Sequence, residues 1–164
     1  MSKKPKPTLT LASAASSDKK RIVIENALCF NLYTASRLMT QNYTDQLKPL
    51  GLTYLQFLVL NLLWAEEGQT TKQLGQRLYL DSGTLTPLLN KMIKMKLIKK
   101  MKSKTDKRES FIFLTEKGRE LEIHLDTIAQ NMFKKLQVSF DRFTNVRDGV
   151  KEILLNLNCQ LNKE

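Results

Sequence analysis

Apolar residues recur along this chain with two kinds of spacing. In several stretches they return every three or four residues, as on a helix with one buried face. These stretches predict helices at residues 24–47, 54–64, two short ones between 70 and 96, 115–136, and 146–161 after a break at 141–145. Two shorter apolar runs, 97–101 and 110–114, look like strands. The expected order is α-α-α-α-β-β-α-α, a mainly α fold with a small β-hairpin.

Local signals mark where several of these helices begin. A Ser, Thr or Asp side chain can accept the free N–H groups of a first helical turn. Thr53 precedes the second helix and Thr115 the one after the hairpin, while Thr70 or Thr71 and Asp81 or Ser82 are candidates for the two short helices. The first helix is expected to end at the run 48–51, where Pro49 disfavours helical geometry in the residue before it.

The two short helices together resemble a helix-turn-helix. The apolar residues of the second return on one side, and the opposite side is small and polar at its start and cationic at its end. That opposite side carries Gly83, Thr86, Pro87, Asn90, Lys91 and Lys94, with Ser82 and Thr84 in the first turn. A helix entering a DNA major groove needs small residues for close approach, hydroxyls and amides for base edges, and lysines for phosphates. From this stretch alone, two amphipathic surface helices with a polar turn remain the alternative.

The charge of the chain favours a polyanionic partner. Lysine and arginine number 27 against 16 acidic residues, a net charge of +11, and residues 91–108 hold nine cations and one acid. Such a segment fits nucleic acid or an anionic membrane surface. No run of eighteen apolar residues exists, the N-terminus lacks the apolar core of a secretory signal, and only two cysteines occur. We therefore expect double-stranded DNA rather than a membrane as partner, and the reducing cytoplasm as compartment.

The segment between the two predicted strands is too long and too charged for a tight turn. A hairpin with a basic tip after a helix-turn-helix is a winged helix, whose tip contacts the DNA backbone or minor groove. Arg108 is the candidate for the groove, Asp106 could orient it through a carboxylate–guanidinium pair, and Lys104 and Lys107 belong to the same tip.

The long first helix and the terminal helices carry more apolar surface than a winged helix of about 60 residues can cover. We expect them to pack against a second copy as a two-fold homodimer, which would read a palindromic operator. The expected organisation is a disordered basic tail at 1–20, a winged helix-turn-helix at 53–114, and a helical dimerisation region formed by 21–52 and 115–164.

This arrangement, with Asp106-x-Arg108 in the wing and Leu114-Thr115-Glu116-Lys117-Gly118 after it, resembles the MarR family of bacterial repressors. Three runs are similar to the organic hydroperoxide sensors of that family, the OhrR group. They are Leu28-Cys29-Phe30-x-Leu32-Tyr33, Gly51-Leu52-Thr53-Tyr54-x-Gln56 and Leu78-Tyr79-Leu80-Asp81-Ser82-Gly83-Thr84-Leu85-Thr86-Pro87-Leu88-Leu89. The resemblance extends from about residue 25 to residue 118 and implies a repressor that releases its operator when an organic hydroperoxide oxidises it.

The resemblance also implies that Cys29 is the peroxide-sensing thiol, with Tyr43 and Tyr54 as hydrogen-bond donors to its sulfur and Tyr33 as a neighbour. Cys29 and Tyr43 are fourteen residues apart, or roughly 21 Å along a helix rising 1.5 Å per residue. Tyr43 would then donate its hydrogen bond to the Cys29 sulfur of an antiparallel partner chain. The alternative role of Cys29 is that of a small buried hydrophobe.

The second cysteine, Cys159, lies on the predicted last helix, whereas family members with a resolving cysteine carry it directly after the wing. This chain therefore resembles the single-cysteine type, in which a low-molecular-weight thiol or a backbone nitrogen closes on the oxidised sulfur. Cys159 stays open as an alternative resolving residue. No cofactor or metal is expected, since His124 is the only histidine.

Two other functions remain open. One is a MarR-type repressor that responds to a small aromatic ligand, with Cys29 incidental. The other is a non-specific DNA-binding protein that uses charge alone. An enzyme is not expected, because no phosphate-binding loop, catalytic triad or paired-carboxylate motif is present.

Overall fold

The computed structural model describes residues 23–102 and 109–161. Contacts between backbone positions divide the chain into two units, of which the described parts are residues 23–35 and 36–161. The first unit contains a 3-10 turn, Ile24–Asn26, followed by the start of helix α1 (Leu28–Leu47). The single helix predicted from residue 24 was therefore wrong at its start. The tail expected at 1–20 lies outside the described residues.

Helices α2 (Tyr54–Ala65), α3 (Thr71–Leu78) and α4 (Ser82–Lys94) follow within the larger unit, as the sequence predicted. Thr53 and Thr70 each form a capping box, in which the threonine hydroxyl accepts an N–H of the first turn and a glutamine side chain accepts the N–H of the threonine. The Asp81 carboxylate caps α4. Of the candidates that the sequence left open, the structure selects Thr70 and Asp81.

The sheet has three antiparallel strands, where the sequence predicted a two-stranded hairpin. Strand β2 (Ile98–Lys102) and strand β3 (Ser110–Leu114) pair as expected, with Ile98 opposite Leu114. The additional strand β1 (Gln69–Thr70) pairs with the other edge of β3, so that β3 is central. Since β1 lies between α2 and α3, it attaches the helix-turn-helix directly to the wing.

The helices after the sheet differ from the prediction in two places. The single helix predicted at 115–136 is divided into α5 (Glu116–Glu120), a 3-10 segment (Leu121–His124) and α6 (Leu125–Leu136). The last helix, α7 (Phe140–Leu161), begins six residues before the predicted start. Its first turn is held by Ser139, whose hydroxyl accepts the N–H of Arg142, and by contacts of Phe140 and Phe143 with Phe133 of α6.

One apolar core holds the winged part of the larger unit together. Residues of α2, α3, α4 and the sheet dominate it; those less than 2% exposed are Leu47, Val59, Leu60, Leu63, Leu74, Leu85, Met92, Leu97, Ile98 and Ile112. Gln56 and Gln69 are buried among them, and each is bonded, Gln69 to the carbonyl oxygens of Leu62 and Glu66 and Gln56 to the Thr53 N–H. Hydrogen-bonded amides of this kind are tolerated in a core.

No single helix in the described ranges is long and apolar enough to cross a membrane, although the bent pair Leu28–Leu50 and Tyr54–Ala65 passes by length and composition when taken together. The apolar character of α2 has another explanation, since Phe57, Val59, Leu60 and Leu63 are buried in the core.

Candidate DNA-binding face and sensor residues

The outward face of α4 is held in place by its apolar side. Leu85, Leu89 and Met92 are at most 4% exposed and fix the helix to the core. Every residue predicted to face outward on α4 is exposed: Ser82, Gly83, Thr84, Thr86, Pro87, Asn90, Lys91 and Lys94. The helix therefore presents a continuous polar surface that begins with small residues and ends with lysines. This is the surface composition that a major groove accepts.

The turn between α3 and α4 depends on two backbone features. Tyr79 ends α3 in the left-handed conformation, with φ of 54°. A Cβ on Gly75 would come within 2.9 Å of the Leu80 carbonyl oxygen, so the chain can pass this close only at a glycine. The close approach of Leu80 is the physical reason for a glycine at position 75 of the helix-turn-helix.

The N-terminus of α4 has a strong electrostatic cap. The Asp81 carboxylate accepts the N–H of Thr84 at 2.9 Å and its hydroxyl at 3.0 Å. The hydrogen bond from the Thr84 backbone, and after it the one from the Thr84 hydroxyl, hold the pKa of Asp81 below its usual value. The Thr84 hydroxyl is thus already bonded in the free protein, whereas Ser82 and Thr86 lie exposed beside it.

An open cleft of about 450 Å³ lies beside this face, between the start of α3, α4 and the sheet. Polar and cationic side chains dominate its rim, among them Thr70, Lys72, Thr86, Asn90, Lys100 and Ser110. Lys72 and Ser110 were not among the predicted DNA contacts. The signal for Lys72 was its place in the first turn of α3, whose N-terminal N–H groups favour anions such as phosphate. Ser110, the first residue of β3, gave no such signal.

The predicted wing tip lies outside the described residues. It contains Lys104, Asp106, Lys107 and Arg108, whose roles stay predictions. The strand leading to the tip is described, and on it Lys99, Lys100 and Lys102 are exposed. The base of the wing is therefore cationic.

Cys29 lies in the first turn of α1 and is exposed, as is Tyr33 one turn later with 68% of its surface accessible. Leu28 is also exposed, at 58%. A small hydrophobe packed in a core is normally covered; Cys29 is not covered by the described residues of its own chain. Cys159, on α7, is exposed as well.

Tyr43 and Tyr54, predicted to share a site, are brought together by the fold. Their ring centroids are 5.0 Å apart at an interplanar angle of 34°, and Tyr43 also contacts Phe57 at 5.8 Å. Burial raises the pKa of both phenols, and the neighbouring Tyr54 raises the pKa of Tyr43 further. Both rings are half-buried, and the raised pKa values keep their hydroxyls in the protonated, donating form. No group of three or more potential metal ligands occurs among the residues that the structure describes.

Comparison with known proteins places this geometry among regulators. The family described as transcriptional regulator SarA/Rot matches residues 41–125. The organic hydroperoxide resistance transcriptional regulator of Bacillus subtilis is 50% identical over 95 residues, which are 58% of this chain and 65% of that protein, just under two thirds. The HTH-type transcriptional regulator SarZ of Staphylococcus haemolyticus is 38% identical over 133 residues, 81% of this chain and 90% of that protein. The structure of reduced AbfR bound to DNA, from Staphylococcus epidermidis, has a TM-score of 0.73 at 31% identity and covers 87% of this chain and 98% of that chain.

Proposed function

The chain belongs to the SarA/Rot family of transcriptional regulators, winged-helix proteins of the MarR type, and we propose that it is a repressor switched by oxidation of Cys29. It is a regulator and not an enzyme. With Cys29 reduced, the protein binds a palindromic operator in double-stranded DNA; oxidation by an organic hydroperoxide releases it. As a DNA-binding regulator it acts in the cytoplasm.

Operator binding is supported by the exposed face of α4. Thr86 and Asn90 lie in its middle turns and Lys91 and Lys94 in its last turn, so base-reading and phosphate-binding groups follow one another along one face. AbfR, which is similar to this chain over most of its length, has been solved bound to DNA. In our proposal the lysines position the helix, and the hydroxyl and amide groups read the bases.

Homodimerisation is supported by the uncovered apolar side chains of α7. Three apolar side chains of α7 recur at helical spacing: Val150, Leu154 and Leu157, which are 38%, 42% and 54% exposed. Nearer the start of the same helix, Phe140 and Val146 are also exposed. A contiguous apolar face of this kind usually marks an interface. A second copy related by two-fold symmetry would cover it and place two α4 helices on a palindromic site.

The contact between Tyr43 and Tyr54, whose ring centroids lie 5.0 Å apart, is the observation that carries the sensor assignment. Two protonated phenols, half-buried and in contact, can donate to one thiolate and lower its pKa. The spacing in the sequence assigns that thiolate to the partner's Cys29. The exposure of Cys29 and Leu28 in the described chain is compatible with a site that is completed only in the dimer.

The proposed switch is an oxidation of the Cys29 sulfur in two steps. The Cys29 thiolate attacks the outer oxygen of the hydroperoxide, the O–O bond breaks, and the departing alkoxide takes a proton to become an alcohol. The sulfenic acid formed then condenses with a low-molecular-weight thiol, giving a mixed disulfide and water. Taking an operator from 99% to 1% occupied requires a coupling of about 5.5 kcal/mol between oxidation and DNA binding. A bulky thiol cap in a packed interface supplies more displacement than a single oxygen atom.

The test is DNA binding before and after oxidation. A duplex taken from upstream of the protein's own gene is titrated by fluorescence anisotropy with reduced protein, and then with protein treated with cumene hydroperoxide and cysteine. We expect the parent to release DNA, Cys29→Ser to bind equally well but stay bound, and the matched variant Cys159→Ser to release like the parent. Release by the oxidised Cys29→Ser protein would eliminate the sensor assignment.

The same titration separates the alternatives. Release of fully reduced protein by a small aromatic acid would favour the ligand-responsive repressor. Equal affinity for the operator and for a scrambled duplex at moderate salt would favour non-specific binding by charge.

A further inference from the structure

Two adjacent glutamates after α2 contact different parts of the winged fold. The Glu66 carboxylate accepts a hydrogen bond at 3.1 Å from Arg77, in α3 of the helix-turn-helix. The Glu67 carboxylate accepts two parallel hydrogen bonds at 2.9 Å from Arg119, in α5. Gly68 follows with φ of 74°, a left-handed conformation that lets the chain turn from these residues into β1. The turn therefore contacts α3 and α5 and leads into β1.

Glu67 also completes the hydrogen bonding of the wing. Gln69 is opposite Ile112 in the β1–β3 register, and continuing this register places Glu67 opposite Leu114. The Leu114 N–H donates to the Glu67 carboxylate at 3.3 Å, and Leu114 is only 2% exposed. One carboxylate thus accepts both from the backbone at the end of β3 and from the guanidinium of α5.

The start of α5 is itself fixed at two places, to the residues before β2 and to α2. The Thr115 hydroxyl donates to the Lys96 carbonyl oxygen at 2.6 Å, and the indole N–H of Trp64 donates to the Gly118 carbonyl oxygen at 3.0 Å. Arg119 follows directly, before the 3-10 segment Leu121–His124 that leads into α6. Arg119 is therefore one of the last side chains of α5 before the chain continues into the terminal helices.

We propose that Glu67 and Arg119 are positioning residues through which the terminal helices set the position of the wing on DNA. The inference rests on the proposed function. β3 and α5 are joined through Thr115 alone, and the Glu67 carboxylate ties both to the turn after α2. A displacement of this junction relative to α2 must therefore carry the turn with it or break a bidentate ion pair. The neighbouring pair differs. Arg77 itself contacts the sheet, donating to the Gln69 side chain of β1 at 2.8 Å, while the Glu66 carboxylate is 70% exposed against 29% for Glu67. Neither positioning residue needs to touch DNA.

The proposal is tested by removing the ion pair from either side. Glu67→Gln keeps an oxygen for the Leu114 N–H but loses the charge, and Arg119→Gln removes the guanidinium. The matched control, Glu66→Gln, makes the same change in the neighbouring ion pair and keeps the hydrogen bond from Arg77 to Gln69. For the parent and each variant, the dissociation constant for the operator is measured with reduced protein and again after treatment with tert-butyl hydroperoxide and cysteine. The release ratio is the constant of the treated protein divided by that of the reduced protein. Thermal unfolding is recorded alongside.

We expect the release ratio to fall about fivefold in Glu67→Gln and in Arg119→Gln, because changes along a coupling route typically alter coupling by this order. The double variant should match the single variants, since the two residues act through one contact. Glu66→Gln should keep the parental ratio, and all four variants should unfold near the parental temperature. A parental ratio in Glu67→Gln and Arg119→Gln, or an equal fall in Glu66→Gln, overturns the inference. If the parent itself does not respond to peroxide, the proposed function fails and this inference with it.

Discussion

Gly118→Ala should destabilise the protein, because the junction between the wing and α5 has no room for a methyl group. A Cβ at this position would overlap the Leu97 carbonyl oxygen and lie 3.1 Å from its carbonyl carbon. Both are backbone atoms, which cannot rotate away as a side chain can. The methyl group therefore has to push α5 away from the loop before β2.

The cost follows from the hydrogen bonds that cross this junction. The Leu97 carbonyl oxygen accepts the Thr115 N–H at 3.0 Å, the Thr115 hydroxyl donates to the Lys96 carbonyl oxygen at 2.6 Å, and the Trp64 indole donates to the Gly118 carbonyl oxygen. Three hydrogen bonds at about 0.5–1.5 kcal/mol each sum to about 1.5–4.5 kcal/mol. Alanine regains about 0.5–1 kcal/mol as the better helix former. A net loss of about 2 kcal/mol in the free energy of unfolding is expected.

The assay is urea unfolding followed by circular dichroism, at one protomer concentration because a dimer's stability depends on it. Gly149→Ala is the matched control. It makes the same chemical change within α7, where no atom of the described residues lies within 4 Å of the new Cβ, and should raise stability by about 0.5–1 kcal/mol. If Gly118→Ala is as stable as Gly149→Ala, the Leu97 carbonyl yields without cost and the junction is not rigid.

Three further outcomes are expected. Arg108→Ala should weaken operator binding by about 1–3 kcal/mol, whereas Lys104→Ala should mainly lower the salt dependence by about one unit of slope; unchanged titrations in both would remove the wing from the interface. Folding stability should fall as the pH rises above the ordinary tyrosine pKa of 10.0, because burial raises the pKa of Tyr43 and Tyr54 and the folded state binds their protons more tightly. Urea unfolding of the double variant Tyr43→Phe/Tyr54→Phe should show a smaller loss of stability at alkaline pH than the parent. An equal loss would exclude these phenols as its cause. Light scattering should give a dimer mass at micromolar concentration and a smaller mass for Leu154→Asp, because a charge would enter the apolar face of α7; a monomeric parent would contradict the dimer.

The starts of α2, α3, α4 and α5 were predictable because their chemistry is local. Thr53, Thr70, Asp81 and Thr115 each accept an N–H from a residue three positions later, which needs no contact from elsewhere in the chain. Ser139 gives the same signal before α7, and giving it more weight than the polar run at 141–145 would have placed that start correctly.

The errors fall where the structure depends on distant contacts. Strand β1 has two residues, too few to show alternation, and exists because β3 offers an edge more than forty residues later in the sequence. The 3-10 segment Leu121–His124 interrupts the predicted helix without disturbing its apolar spacing. Periods of 3.0 and 3.6 residues per turn diverge little over four residues, so periodicity could not reveal the break.

The winged helix-turn-helix and the outward face of α4 were predictable from the sequence by itself, since spacing, capping and charge act within short segments. The sensor residues came from the resemblance to the OhrR group. The tertiary structure was needed to show that the rings of Tyr43 and Tyr54 lie 5.0 Å apart, that Leu80 requires a glycine at 75, and that Glu67 bridges β3 and Arg119. These contacts join residues from different elements, and their geometry depends on how the apolar core packs those elements together. A one-dimensional pattern carries no record of that packing.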